Sequence, residues 1–312
     1  MSAIGELTSM AKGRGRGGVR EKHPDNKPAL VFMAPWLLGL LGITLIPMIA
    51  SLYLSFTDYS LLAAPKWIGL QNFVDMFHDA RLMTSLKVTL IYVIVGVPLQ
   101  LALALALAVL LNEGIKGLSF YRSIFYLPSL LGGSVAIAIL WRQMFGTGGL
   151  VNQIAGMLGF TNLPGWISDP STALGTIILL HVWTFGSPMI IFLAGLRQIP
   201  QMYYEAAEVD GAGRWRRFTA ITLPLLTPII FFNLVLQVIN AFQSFTQAFV
   251  VSGGTGGPSD STLFYTLYLY QKGFTQFDMG YASAMAWLLL IIVAIFTAIN
   301  FFVSKFWVFY DD

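Results

Sequence analysis

Residues 101–111 read Leu-Ala-Leu-Ala-Leu-Ala-Leu-Ala-Val-Leu-Leu, and the fold class turns on whether that run is a strand or a helix. A strict two-residue alternation is the mark of a half-buried strand in a soluble sheet. This run, however, ends an uncharged stretch from Val88 to Leu111. At about 1.5 Å per residue that stretch is long enough to cross the roughly 30 Å hydrocarbon core of a bilayer. Lipid offers no water to exposed N–H and C=O groups, so a spanning segment satisfies them internally, as a helix. A helix is therefore expected, and its alanines allow neighbouring helices to approach closely.

Five further uncharged runs flank it: Ala29 to Phe56, Ser123 to Trp141, Ser171 to Leu196, Phe218 to Val251 and Gly280 to Val303. The fifth of the six in chain order is too long for one simple span, and is expected to hold a membrane helix plus part of its flanks. Composition agrees with an all-α integral membrane protein, since 56% of the 312 residues are hydrophobic and 11% charged, against about 25% charged in soluble domains. Cysteine is absent, which excludes disulfides, thiolate metal sites and a cysteine nucleophile.

Six basic residues (Lys12, Arg14, Arg16, Arg20, Lys22 and Lys27) precede the first run. That run is too long for a signal-peptide core and is read as an uncleaved span. The tail reads as a disordered topology anchor, with binding to anionic lipid or a partner as the alternative. With the N-terminus in the cytoplasm, all but five of the 18 Lys and Arg residues (Lys66, Arg81, Lys87, Arg142 and Lys272) fall inside, so the positive-inside rule favours both termini cytoplasmic. The net charge of +3 thus reports topology, and no nucleic-acid partner is expected. The expected organisation is a basic tail over 1–28, a six-helix domain over 29–308 with a cytoplasmic loop at 197–218, and a short cytoplasmic tail at 309–312.

No acidic residue lies within a span: Asp58, Glu113, Asp169, Glu205 and Asp278 are at or beyond the span ends. Proton-coupled pumps usually bury a carboxylate, and no internal repeat is visible. These features weaken the reading as a self-sufficient secondary transporter or facilitator, which stays as the alternative. The chain carries no G-x-x-x-x-G-K-[ST] nucleotide loop. Its three histidines, His23, His78 and His181, lack metal-ligand spacing, so neither a metal nor enzymatic chemistry is expected. His181 alone sits at membrane depth, where an interhelical hydrogen bond is favoured over a solute contact. The stretch Gly253, Gly254, Thr255, Gly256, Gly257, Pro258 reads as a turn.

In the fifth run Asn233, Gln237, Asn240, Ser244 and Gln247 recur at the spacing of one helix face. With Gln243 beside them and Trp183, Phe242 and Phe245 available for stacking, they suit a neutral polyhydroxylated solute. Interhelical hydrogen bonding is the competing reading; a pathway role is favoured for Asn240 and Gln243, a packing role for Asn233. No Lys or Arg lies between Arg142 and Arg197 or between Arg217 and Lys272, which tilts the expectation away from phosphate-bearing solutes.

Between the fourth and fifth runs lies Ile199-Pro200-Gln201-Met202-Tyr203-Tyr204-Glu205-Ala206-Ala207-Glu208-Val209-Asp210-Gly211-Ala212. Pro200 can open a short helix, Glu205 favours its N-terminal half, and Gly211 permits reversal at its end. Ala206 and Ala207 give it a face able to lie in a groove of a cytoplasmic partner; an ordinary loop with a turn is the plainer reading.

Glu205-Ala206-Ala207, Asp210-Gly211-Ala212 and the downstream Ile221, Leu223 and Pro224 resemble the EAA motif of permease subunits in bacterial binding-protein-dependent ABC importers. The landmarks Tyr53 to Asp58, Gly69 to Phe73, Tyr121 to Pro128, Leu140 to Arg142 and Phe277 to Ala282 are similar to those of the carbohydrate branch, in particular its maltose-type first permease subunit. The resemblance runs from about Leu30 to Val303. It implies the type I importer fold in the bacterial cytoplasmic membrane, a second permease, two ATPase subunits that use ATP and Mg, an external solute-binding protein and no cofactor in this chain. It also implies ATPase coupling through Glu205, Ala206, Ala207, Asp210, Gly211, Arg216, Leu223 and Pro224. The implied solute is a di- or oligosaccharide, with monosaccharides, polyols and glycerol phosphodiesters open. Two departures stand out. The large external domain and extra N-terminal span of some relatives are absent, so a binding protein is expected to dock on short loops. Lys87-Val88-Thr89 replaces an Asn-Thr pair of many relatives.

Overall fold

Three prolines account for a recurring irregularity in the helices. A proline cannot donate to the carbonyl four residues back, and its ring crowds that carbonyl. In the computed structural model a π-helical segment ends two residues before each of Pro47, Pro98 and Pro224, at Leu40–Leu45, Tyr92–Gly96 and Phe218–Thr222. The N–H groups of Ile46 and Leu223 reach back five residues, to Leu41 and Phe218, which absorbs the misfit without a break.

The structure describes residues 27–114, 117–160 and 163–309. The basic tail expected over 1–28 lies outside them except for its last two residues, as do residues 310–312. The chain forms two units, residues 1–50 and 51–312. The described part of the first is a helix that starts at Lys27 and gives the span α1 (Val31–Leu54), whose last residues belong to the second unit.

In the second unit, α2 (Gln71–His78) precedes α3 (Ala80–Asn112). The pairs α4 (Leu118–Leu131) with α5 (Val135–Met144), and α7 (Pro170–Trp183) with α8 (Gly186–Leu196), flank α6 (Leu150–Met157). Then come α9 (Gln201–Val209), α10 (Arg214–Phe242), α11 (Thr246–Ser252), α12 (Tyr265–Tyr270) and α13 (Met279–Ser304). Among the described residues, α1, α3, α10 and α13 are long and apolar enough to cross a membrane; the bent pairs α4–α5 (93°) and α7–α8 (41°) raise the number to six if each is one span.

The alternating run 101–111 is helical. Ala104 and Ala108, one turn apart, are completely buried together with Val97 and Leu111. The helix that packs most extensively on that part of α3 is α8. Several boundaries differ from the sequence expectation: the runs from Ser123 and from Ser171 are each broken, into α4–α5 and α7–α8, and α4 and α10 begin before their apolar runs, at Leu118 and Arg214. α3 begins at Ala80, because a helix continues into water where charged residues such as Arg81 and Lys87 end an apolar run. The fifth run is broken after Phe242, and Ser244 and Gln247 fall beyond the break.

The end of the bundle where α3 starts is tied together by the landmark segments. Asn72, buried, donates to the carbonyls of Ser55 (2.9 Å) and Thr57 (3.0 Å). Residues 57–58 and 66–67 pair as a short hairpin, and Gly280 N–H donates to the Tyr59 carbonyl. Gly253, Gly254, Gly256 and Gly257 all have positive φ, the turn expected of that stretch. Thr89, buried, accepts from the Tyr265 N–H at 2.8 Å, a structural role.

At the same end Asp79 caps α3. Its carboxylate accepts from the N–H groups of Arg81 and Leu82 and from the hydroxyls of Tyr268 (2.7 Å) and Tyr281 (2.9 Å). Burial by itself would raise its pKa, but the hydroxyl and backbone hydrogen bonds and the nearby Lys272 charge together hold it below the ordinary carboxylate range. A depressed carboxylate pKa contributes stability above the unfolded value that is lost as pH falls through the folded one. Asp79→Ala is therefore expected to cost about 1–2 kcal/mol, the scale of a lost cap. In thermal melts the gap between wild type and variant should be full at neutral pH and close below pH 4; a gap independent of pH would contradict this account.

Candidate functional site

The breaks in α4–α5 and α7–α8 come together, and side chains from other helices take up the backbone groups they free. Gln100 of α3 donates through Nε2 to the carbonyls of His181 (3.2 Å) and Thr184 (3.0 Å) and to the Thr184 hydroxyl (3.0 Å). Ser129 of α4 donates to the Thr184 carbonyl and accepts from the Ser187 N–H, both at 2.8 Å. Gln247 of α11 donates to the Gly132 carbonyl at 3.2 Å. Helix interruption at membrane depth is tolerated where freed groups are met in this way or face a water-filled cavity.

Here the freed groups are met by side chains and also border a cavity. The braced breaks wall a cavity of about 270 Å³. Tyr92 and Gln100 enter from α3, Ser129 and Gly133 from the first break, and His181, Thr184 and Ser187 from the second. Gln237 and Asn240 of α10, Ser244 and Gln247 close the opposite wall. Every lining polar side chain is a neutral hydrogen-bonding group apart from the titratable His181. Two buried atoms, Gln100 Oε1 and His181 Nε2, have no partner. An unmet buried polar atom costs about 1–3 kcal/mol, and both atoms are sealed within the cavity wall, out of reach of a water molecule in the cavity.

Of the six residues read as a solute pathway, the fold gathers Gln237, Asn240 and Ser244 at the cavity. The other three do not line it. Phe242 is buried with its ring against Phe296 of α13, Trp183 packs near Trp141, and Gln243 is exposed as the C-terminal cap of α10. Asn233, on the same stripe, is completely buried away from the cavity with neither amide atom paired. Gln100, Ser129, Thr184 and Ser187 were not singled out from sequence, although Gln100 is the one amide in the uncharged run 88–111. Among the described residues no group of three His, Cys, Asp or Glu side chains could hold a metal ion.

At the other functional region, Pro200 is the N-cap of α9. Gly211, at φ +77°, ends it: the Ala212 N–H reaches the Ala207 carbonyl (2.9 Å) and the Gly211 N–H the Glu208 carbonyl (3.0 Å), a Schellman motif. Glu205, Ala206, Asp210 and Gly211 are exposed and Ala207 half-buried. Met202 (68% exposed) and Val209 (89%) flank Ala206 on an outward apolar stripe. The inner side is anchored by Tyr204 Oη to Thr222 Oγ1 (2.9 Å) and by the Arg217–Glu208 ion pair (3.1 Å). Arg216 lies exposed on the first turn of α10, and Leu223 and Pro224 lie half-buried further along it.

Residues 28–307 match the family described as the inner membrane component of binding-protein-dependent transport systems. The chain belongs to this family. The permease is 55% identical over 294 residues to the probable ABC transporter permease protein YesP of Bacillus subtilis (strain 168), covering 94% of this chain and 95% of that one. It is 32% identical over 280 residues to the lactose transport system permease protein LacF of Rhizobium radiobacter, covering 88% and 93%. A chain of the bacterial alginate ABC transporter, solved in complex with an alginate pentasaccharide-bound periplasmic protein, superposes with a TM-score of 0.75 at 22% identity over 90% of this chain and 94% of that one, which shows a shared fold. The permease is thus a transport subunit rather than an enzyme, and ATP hydrolysis belongs to separate subunits.

Proposed function

We propose that this permease, with a second permease subunit, encloses the path of a neutral carbohydrate delivered by an external binding protein, and that α9 couples it to an ATPase subunit. The observation that carries the reading is the cavity lined by uncharged donors and acceptors, among them Ser129, Gln237, Asn240 and Ser244, a lining suited to sugar hydroxyls. No Asp, Glu, Lys or Arg lines it, which favours a neutral sugar over an acidic one such as alginate. LacF is named for lactose, which makes a di- or oligosaccharide the working choice. The exposed stripe of Met202, Ala206 and Val209 with Glu205 beside it supplies apolar contact and charge for an ATPase groove, and the anchors to Thr222 and Arg217 carry its movement into α10.

Reconstitution of the permease with its partner subunits and binding protein in liposomes tests this reading. Sugar uptake should require both ATP and the binding protein; uptake by this chain alone, driven by an ion gradient, would overturn it. Gln237→Leu and Asn240→Leu should each lower uptake about tenfold, since loss of a hydrogen bond of about 1–1.5 kcal/mol corresponds to roughly that factor. Their melting temperatures should stay near wild type. Undiminished uptake in the double variant would remove α10 from the pathway.

A further inference from the structure

A second, two-part groove lies beside α9, away from the solute cavity. Its apolar part, of about 620 Å³, runs between one face of α3 (Ala102, Leu105, Ala106) and the rings of Trp215 and Phe218 at the start of α10. Its polar part, of about 590 Å³, lies under α9 among Asn112, Gln201, Tyr204, Arg214, Arg217 and Thr222. Val109, Glu113, Arg214 and Phe218 line both parts, so the two adjoin at these side chains, one greasy and the other cationic.

We infer that this groove binds an anionic phospholipid, with an acyl chain along α3 and the phosphate at Arg214 beneath α9. The inference rests on the proposed role of α9, which the lipid would brace. Length fits: from Glu113 back to Ala102 at 1.5 Å per residue is about 16 Å, the depth of one leaflet of a roughly 30 Å core. Charge fits as well. Two arginines face one carboxylate, Glu113; Arg217 already pairs with Glu208, and Arg214 is in no ion pair among the described residues. Trp215 is 76% exposed beside them, and tryptophan favours the membrane–water boundary. Basic groups at that boundary attract anionic lipid.

The test uses the assembled transporter in nanodiscs of phosphatidylcholine alone or with one quarter phosphatidylglycerol, read by native mass spectrometry and by ATP-driven uptake. Wild type should retain phosphatidylglycerol at least fivefold over phosphatidylcholine, and its uptake should rise about fivefold on addition of the anionic lipid. Arg214→Gln should bring retention to parity, and Ala106→Phe, which fills the apolar part, should abolish it. Equal retention of the two lipids by wild type overturns the inference without any variant. So does a preference that survives both substitutions, or efficient crosslinking of Ala106→Cys to a partner subunit, which would make the occupant protein. ATP-dependent uptake in phosphatidylcholine alone reports the transport reading separately, so either conclusion can fail while the other stands.

Discussion

Gly186→Ala is expected to reduce folded permease to less than a tenth of the wild-type yield, measured as the monodisperse peak of detergent-solubilised protein. Gly186 opens α8 at its break from α7. A methyl group there would fall on the Phe125 carbonyl oxygen and within 2.8 Å of Tyr126 Cα. Both are main-chain atoms of α4, so no rotamer change relieves the overlap and the two helices must separate. Overpacking of this kind costs about 1–3 kcal/mol or more. Separation also stretches the bonds of Ser129 to Ser187 and Thr184, at about 1 kcal/mol each. Gly175→Ala in α7 is the control, because nothing lies within 4 Å of the added carbon; it should match wild type or gain up to about 1 kcal/mol from helix propensity. Wild-type yield of Gly186→Ala would show that α4 and α8 can separate freely.

Gly211→Val is expected to lower ATP-driven uptake more than tenfold while the subunits still assemble. The site is open, with nothing within 4 Å of an added carbon, so sterics against the rest of the protein are not the cause. The cause is backbone: at φ +77° an L-residue is strained by about 1–2 kcal/mol, and a β-branched one by more. Relief unwinds the last turn of α9 and turns Asp210 and Glu205 away from their present direction. Gly211→Asn, which tolerates that conformation, should retain most of the uptake. If valine and asparagine behave alike, the C-terminal reversal of α9 is not what transmits ATPase movement.

Much of this was legible in the residues. The scarcity of charge and the length of the apolar runs imposed a helical membrane protein, and Pro200 and Gly211 bracketed α9 because each removes a conformational choice. The breaks were less visible. Gly132-Gly133 and Gly186-Ser187-Pro188 stand at the two breaks, but glycine and proline are common within membrane helices, so they do not by themselves separate a straight span from a broken one. The end of α10 at Phe242 was hidden because polar spacing continued through Ser244 and Gln247; the cavity still gathers those two because the chain turns around it. Gln100 could have been found as an isolated amide at membrane depth, since such a group needs partners. Its partners are backbone carbonyls exposed by a break 81 residues away, which no periodicity reports.

The Gln100 amide nitrogen lies within 3.0–3.2 Å of three acceptors, yet a primary amide has only two hydrogens to give. Neither carbonyl depends on it alone, since Ser129 also donates to the Thr184 carbonyl and the Thr184 hydroxyl to the His181 carbonyl. A rigid joint would match donors to acceptors one for one. This one is redundant: each of the two carbonyls keeps a second donor if the Gln100 bond to it is lost.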